Sequence, residues 1–278
     1  MRLAGATVLI TGASSGIGAA TARAVVGAQA RAVLLARSAG RLDALAEELG
    51  PRAHAYVVDC SDREALASVA RRITDEIGTP DVIVNNAGAG RWLFFDETEP
   101  AEFERMMSAP FFAAVFTTRA FLPAMIERGS GLILNVNAPI AFVPWQSAAG
   151  YGMARWATRG LCELLRADLA DTGVTVSQVV PGPVSSEYFA NNPGIDRAMP
   201  RIARVFGTQT PEHVASVIVR TIERERRLVI TPTTLRLTVG AMRVTPGLVT
   251  WLARSTGRKR TKGLNSTESR DAEHRRSV

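Results

Sequence analysis

Residues 11–18 read Thr11-Gly12-Ala13-Ser14-Ser15-Gly16-Ile17-Gly18, between a short apolar run, Thr7–Ile10, and a segment with helical apolar spacing, Gly18–Val26. Few patterns restrict a chain as strongly. Gly12 suits a sharp turn out of a strand, Gly16 leaves room for a group to approach the main chain, and Gly18 lets the following helix pack closely on the strand. The start of that helix offers free N–H groups and the positive end of its dipole, a combination that suits a phosphate. A spaced glycine triplet alone is a weak signal, because a plain strand–helix turn also uses glycine. Its place between a strand pattern and a helix pattern strengthens it.

The same alternation continues along the body. Apolar runs occur at Thr7–Ile10, Ala32–Ala36, Ala55–Val58, Val82–Asn85, Leu132–Val136, Val174–Val180 and Leu228–Thr231. They lack polar alternation, as expected of strands buried on both faces. Helical spacing fills Gly18–Val26, Arg41–Leu49, Asp62–Ile77, Ala101–Glu127 and Gly152–Asp171. The expectation is an α/β, Rossmann-like, doubly wound parallel sheet of about seven strands with helices on both faces. Residues 1–232 form the dinucleotide-binding catalytic domain in this reading, 233–256 a C-terminal helical extension and 257–278 a basic, disordered tail. Ser185–Thr210, with Asn191, Asn192, Pro193, Gly194, Tyr188, Phe189 and Phe206, reads as a long loop of the kind that carries binding function.

Charge matters through its location. Of the net +7, the segment from Arg254 onward carries eight Lys/Arg against three acids, so the basicity is largely a tail property. No stacking or groove-reading motif accompanies it, and nucleic-acid binding is not expected. No run of about 18 uncharged apolar residues suggests a membrane span. Cys60 and Cys162 are too few for a disulfide framework, and no metal-ligand spacing is found. They read as reduced thiols of a cytoplasmic protein, and the opening residues run into a strand with no room for a targeting segment.

Several further motifs, in order, make the chain resemble the short-chain dehydrogenases/reductases over about residues 5–232. Besides Gly12, Gly16 and Gly18, Asn85-Asn86-Ala87-Gly88 ends the fourth strand, Pro181-Gly182-Pro183-Val184 ends the sixth, and Tyr151 begins a helix. The resemblance implies a nicotinamide dinucleotide held by Gly12, Ser14, Ser15, Gly16, Ile17, Gly18, Asp59, Asn86, Ala87, Gly88, Tyr151, Arg155, Pro181, Gly182, Val184 and Ser186. Asp59 matches the position that meets the adenine, and Ser186 the one whose hydroxyl often meets the nicotinamide amide. NADP(H) is preferred over NAD(H). Strand two ends in Ala36-Arg37, where an acid would accept from a ribose 2′-hydroxyl, and a guanidinium there holds a 2′-phosphate by paired bonds. A solvent-facing arginine is the plain alternative.

The family's catalytic pattern is only partly kept. Tyr151 stands in the place of the proton-exchanging tyrosine, but Arg155 replaces the lysine four residues on, Ala138 the serine thirteen residues earlier, and Pro110 the helix asparagine that holds a relay water. A cation about 4 Å from a phenol is worth roughly 4 kcal/mol toward the phenolate, which arginine supplies as well as lysine. Arginine does not pass a proton, though. Losing one oxyanion donor costs about 10²–10³-fold in rate. Asn137 is the candidate replacement donor to a substrate carbonyl and Ser147 a second, with local backbone capping the plainer role for both. Pro110 is expected to keep a kink while losing the side chain.

The expected partner of this pocket is a lipophilic small molecule, because Arg91-Trp92-Leu93-Phe94-Phe95 and Phe142-Val143-Pro144-Trp145 fall in loops at strand carboxyl ends. Packing beneath those loops accounts for part of the set. Leu235–Arg254, apolar with interspersed basic residues and divided by Pro246, reads as two short helices: a flap over the pocket or a subunit contact, with peripheral contact to an anionic membrane as the alternative. By resemblance, Ala101–Glu127 and Gly152–Asp171 pair in a homodimer or homotetramer. The leading activity is hydride transfer between NADP(H) and a carbonyl or alcohol. The alternatives are a non-redox enzyme (cyclase, isomerase or lyase) in the same pocket, and a nucleotide-binding protein without catalysis.

Overall fold

The computed structural model describes residues 1–185 and 199–260, with Ile202 as backbone only. Seven strands are present: β1 (Thr7–Thr11), β2 (Arg31–Ala36), β3 (Ala53–Val57), β4 (Val82–Asn85), β5 (Gly131–Val136), β6 (Val174–Pro181) and β7 (Leu228–Thr231). They form one sheet in the order β3-β2-β1-β4-β5-β6-β7, every neighbouring pair parallel. Chain order reverses between β1 and β4, which opens a crevice beyond their carboxyl ends.

Helices cover both faces. On one lie α1 (Gly16–Gly27), α2 (Ala39–Leu49) and α7 (Pro211–Glu223), whose Ala22, Val25, Leu42, Leu45, Val214 and Ile218 pack on Val8, Ile10, Leu34 and Val84. On the other lie α3 (Arg63–Glu76), α5 (Ala113–Arg128) and α6 (Ala149–Asp168), meeting Leu9, Val33, Ile83 and Ile133 through Leu66, Ile73, Phe121, Met125 and Cys162. Alternate strand residues serve the two layers, so the strands are mostly apolar on both faces. Local chemistry sets the helix ends. Asp62 accepts from the backbone N–H groups of Glu64 and Ala65 to start α3, Thr210 accepts from His213 N to start α7, and Gly129 closes α5 at φ +68°.

The segment expected as one helix over Ala101–Glu127 is α4 (Pro100–Met107), a π turn at Ser108–Phe112 and then α5. Pro110 sits buried in the π turn. A proline inside a helix has no N–H to donate and crowds the carbonyl four residues back, and the wider turn accommodates both. As a rod, Pro100–Arg128 is long and apolar enough to cross a membrane by length and composition. Arg119 interrupts its apolar run, and its inner residues Thr117, Phe121 and Met125 lie buried against the sheet.

After β7 come α8 (Thr233–Val244) and α9 (Pro246–Thr256), which break at Thr245-Pro246. Leu235, Val239, Val249 and Ala253 turn inward on Phe142, Val143 and a 3-10 turn at Arg201–Phe206. Arg258 and Arg260, read from sequence as part of a disordered tail, pair with Glu97 and Asp96. Ser186, residues 186–198 of the expected binding loop and the tail from residue 261 lie outside the described residues.

Candidate active site

The glycine turn is dictated by close backbone approaches. Gly12 has φ +66°, and a Cβ there would lie 2.9 Å from Ala87 Cα. A Cβ on Gly18 would stand 2.2 Å from the Gly12 carbonyl oxygen and 2.8 Å from Asn86 Nδ2. Gly16 opens α1 at φ +51°, a region glycine enters at no steric cost. Thr11 ties this turn to the end of β4: its Oγ1 accepts from Asn86 N and Ala87 N, both at 3.0 Å, while Asn86 Nδ2 donates to Thr11 O at 3.1 Å. Ser15 occupies the N-cap of α1 without capping it through its side chain, which leaves the first N–H groups of α1 facing the crevice. The cradle fits a dinucleotide pyrophosphate: main chain can approach closely and N–H groups converge.

Farther along the crevice, Ala36 ends β2 and Arg37 is 78 % exposed, its Nη1 3.6 Å from Asp59 Oδ2. Burial pushes the Asp59 carboxyl up, but hydrogen bonds from Ser61 N and Oγ together with the Arg37 charge outweigh it and hold the group below its usual range. Arg37 and Asp59 therefore meet each other at the rim. Ser38, the N-cap residue of α2, also leaves its helix uncapped by the side chain, a feature that sequence pattern does not disclose.

The catalytic candidates gather at the carboxyl end of β5 and the first turns of α6. Tyr151 is buried, and its ring lies 5.6 Å from the Trp92 ring at 31°; Trp92 in turn stacks on Trp145 at 5.6 Å and 27°. The Arg155 guanidinium carbon stands 5.1 Å from the Tyr151 ring centroid. Arg155 is itself buried and reaches across two strand ends. Its Nη1 donates to Val136 O at 3.1 Å, and its Nη2 occupies the space beside Gly88, 2.6 Å from where a Cβ would be. The Asn-Asn-Ala-Gly ending thus supplies the room that the longer arginine uses.

Asn137, expected as a donor to the substrate, lies between β5 and α6. Its Nδ2 donates to Arg155 O at 3.1 Å and its Oδ1 accepts from Ala138 N at 2.8 Å. The amide oxygen and one amide N–H are thus engaged with main chain, so Asn137 fixes β5 against α6. Ser147 is buried at φ +50°, a left-handed conformation that is costly for a residue with a Cβ, and its Oγ has no partner among the described residues. Trp92, expected as pocket wall, is 6 % exposed and packs with Ala138, Ile140, Ala148 and Tyr151, its Nε1–H without an acceptor among the described residues. Arg91 holds that loop down through Glu102, which also pairs with Arg105. Phe142 and Val143 are packing residues beneath α8 and α9. Pro181 ends β6, the following Gly182 N donates to Thr231 O at 2.7 Å, and Val184 bridges to Gln209. Cys60 and Cys162 are free, and burial pushes both thiols up to about 12, so neither offers a thiolate near neutral pH.

Comparison with known proteins agrees with this geometry. The short chain dehydrogenase family model matches residues 6–194. The "Probable oxidoreductase EphD" of Mycobacterium tuberculosis is 33% identical over 234 residues, which cover 79% of this chain and 40% of that protein's length. A short-chain dehydrogenase from Streptomyces avermitilis superimposes with a TM-score of 0.77 at 28% identity, covering 89% of this chain and 97% of that one. An NADPH-bound short chain oxidoreductase from Pseudomonas aeruginosa PAO1, described as containing an atypical catalytic center, superimposes with a TM-score of 0.69 at 29% identity, covering 77% and 88%. With its parallel sheet, glycine cradle and helix-borne tyrosine, the chain belongs to the short-chain dehydrogenase/reductase family.

Proposed function

We propose that the protein is an NADP(H)-dependent oxidoreductase acting on a carbonyl or alcohol of a lipophilic molecule. The observation that carries this reading is Tyr151, buried at the carboxyl end of the sheet between a guanidinium and an indole whose N–H has no acceptor among the described residues. Gly12, Gly16, Gly18, Asn86 and Arg155 would hold a nicotinamide dinucleotide, which would supply or accept a hydride when bound. Tyr151 exchanges the proton with the substrate oxygen, and Arg155 provides a fixed positive charge against the ring. Trp92 Nε1–H donates to that oxygen in place of the hydroxyl missing at Ala138, since a buried donor is costly to leave unmatched. Asn137 is a positioning residue: it sets the α6 backbone that carries Arg155.

Preference for NADP(H) rests on magnitudes. The Arg37–Asp59 pair is exposed, and such pairs contribute about 0–1 kcal/mol. A 2′-phosphate offers Arg37 charge-assisted, paired bonds that are roughly twice as strong as neutral ones, so exchange of partner is favoured. Ala36 brings no acid to oppose it, and the Ser38 hydroxyl stands next along the chain. The NADPH-bound relative supports the same choice. A lipophilic substrate is favoured by an apolar cavity of about 200 Å³ behind Trp145, lined by Pro139, Phe206, Leu235, Val249 and Leu252. Phe112, Ile126, Met153, Trp156 and Leu164, exposed on and beside α5 and α6, favour self-association through those helices.

The test combines NADPH with a panel of aliphatic and aromatic ketones. NADPH consumed in step with ketone, and lost on Tyr151→Phe while NADPH still binds, is the expected result. Tight binding without consumption selects the non-redox or binding-only alternative, and no binding of either pyridine nucleotide at millimolar concentration overturns both.

A further inference from the structure

Residues 233–260 hold five arginines and one lysine and no acidic residue. Arg258 and Arg260 spend their charge on Glu97 and Asp96, whereas Arg236, Arg243, Arg254 and Lys259 have no carboxylate partner among the described residues. On the same two helices Leu237, Val244, Leu248 and Trp251 are each more than half exposed. Leu237, Ala241 and Val244 form one stripe at i, i+4, i+7, and Leu248 and Trp251 continue it on α9 at i, i+3. Ala241 and Leu248 also line the apolar cavity behind Trp145, so the exposed stripe borders the cavity's mouth. Trp251, with Arg254, Ser255, Lys259 and Arg260, also lines a cleft of about 390 Å³ beside α9.

We infer that α8 and α9 rest on an anionic phospholipid bilayer, with the exposed stripe in the acyl boundary, the cationic cleft among the headgroups and the cavity opening toward the lipid. Charge and shape agree in this arrangement. An amphipathic face rich in Arg, with Trp and Leu beside it, is the composition that holds a helix in the interface plane. Each cation near an anionic surface adds attraction that falls off within a Debye length, about 8 Å at physiological ionic strength. A cavity of 200 Å³ is smaller than the 300–1,000 Å³ that encloses a whole drug-sized ligand, and so suits the apolar tail of a larger molecule held by its remainder outside. Only this last point rests on the lipophilic-substrate reading; binding to the bilayer stands apart from the redox chemistry.

The experiment is co-sedimentation of the full chain with vesicles of phosphatidylcholine alone or phosphatidylcholine with phosphatidylglycerol, with the emission of the four tryptophans as a second readout. The expected result is sedimentation with the anionic vesicles only, a blue shift, and release as salt is raised. Arg243→Gln and Lys259→Gln should each weaken partitioning roughly five-fold. Trp251→Ser should weaken it further and abolish most of the blue shift, with NADPH affinity unchanged as proof of folding. Equal binding to neutral vesicles, no binding at low salt, or insensitivity to all three substitutions overturns the inference. So does a change in solution mass on Trp251→Ser without loss of vesicle binding, which assigns the face to a second copy. Ketone-dependent NADPH consumption measured without vesicles reports on the enzymatic reading separately.

Discussion

Around the carboxyl ends of β1 and β4 the tightest approaches are between main-chain atoms, whereas around the end of β5 and the start of α6 side chains fill the space. Gly12 and Gly18 are confined by main-chain atoms of Ala87 and Gly12, neighbours that no substitution can shorten. Tyr151 is confined by Trp92 and Arg155, and Arg155 by the carbonyl of Val136 and the gap at Gly88. The first kind of site has almost no room to vary. The second is re-specified whenever one side chain finds another way to fill the same space, as arginine has done in the place of lysine.

The largest effect that would break this contrast is at Gly18. Gly18→Ala forces a Cβ onto a backbone oxygen and should cost at least about 2 kcal/mol, roughly 4–8 °C of Tm in a chain of this size, with loss of saturable NADPH binding. A variant with wild-type Tm and affinity would show that the cradle yields more readily than its contacts imply. Next is Trp92→Phe, which keeps the aromatic stack and removes the N–H. It should lower kcat about 10²-fold with little change in KM, and Ala138→Ser in the same background should restore at least about tenfold. An unchanged kcat would remove Trp92 from the chemistry and leave it as packing. The smallest change is Arg37→Ala, expected to weaken NADPH roughly 10–100-fold and NADH hardly at all, measured by titration of each. Equal losses for both would place Arg37 outside the 2′-phosphate site.

Sequence legibility follows the same division. The strands were readable because most are buried on both faces and carry largely apolar runs, although β3 starts at Ala53 and not Ala55 and β1 extends to Thr11. The glycine turn was readable because a missing Cβ leaves its mark in the letter itself. The π turn was not, since Pro110 announces a disturbance in the helix but not its form. The main-chain partners of Asn137, Arg155 O and Ala138 N, were not readable, because they meet it only once β5 lies against α6. Trp92 was visible as an aromatic but not as an orphaned donor, a property that depends on everything packed around it.

The hydroxyl of Thr11 receives two main-chain N–H groups from the far side of the crevice, at Asn86 and Ala87. Two residues farther on is Gly88, against which Arg155 lies. That oxygen, together with Asn86 Nδ2 on the Thr11 carbonyl, joins the glycine cradle to the Arg155 region. Whatever chemistry the replaceable side chains come to perform, they must perform it at a distance from the nucleotide cradle that these bonds set.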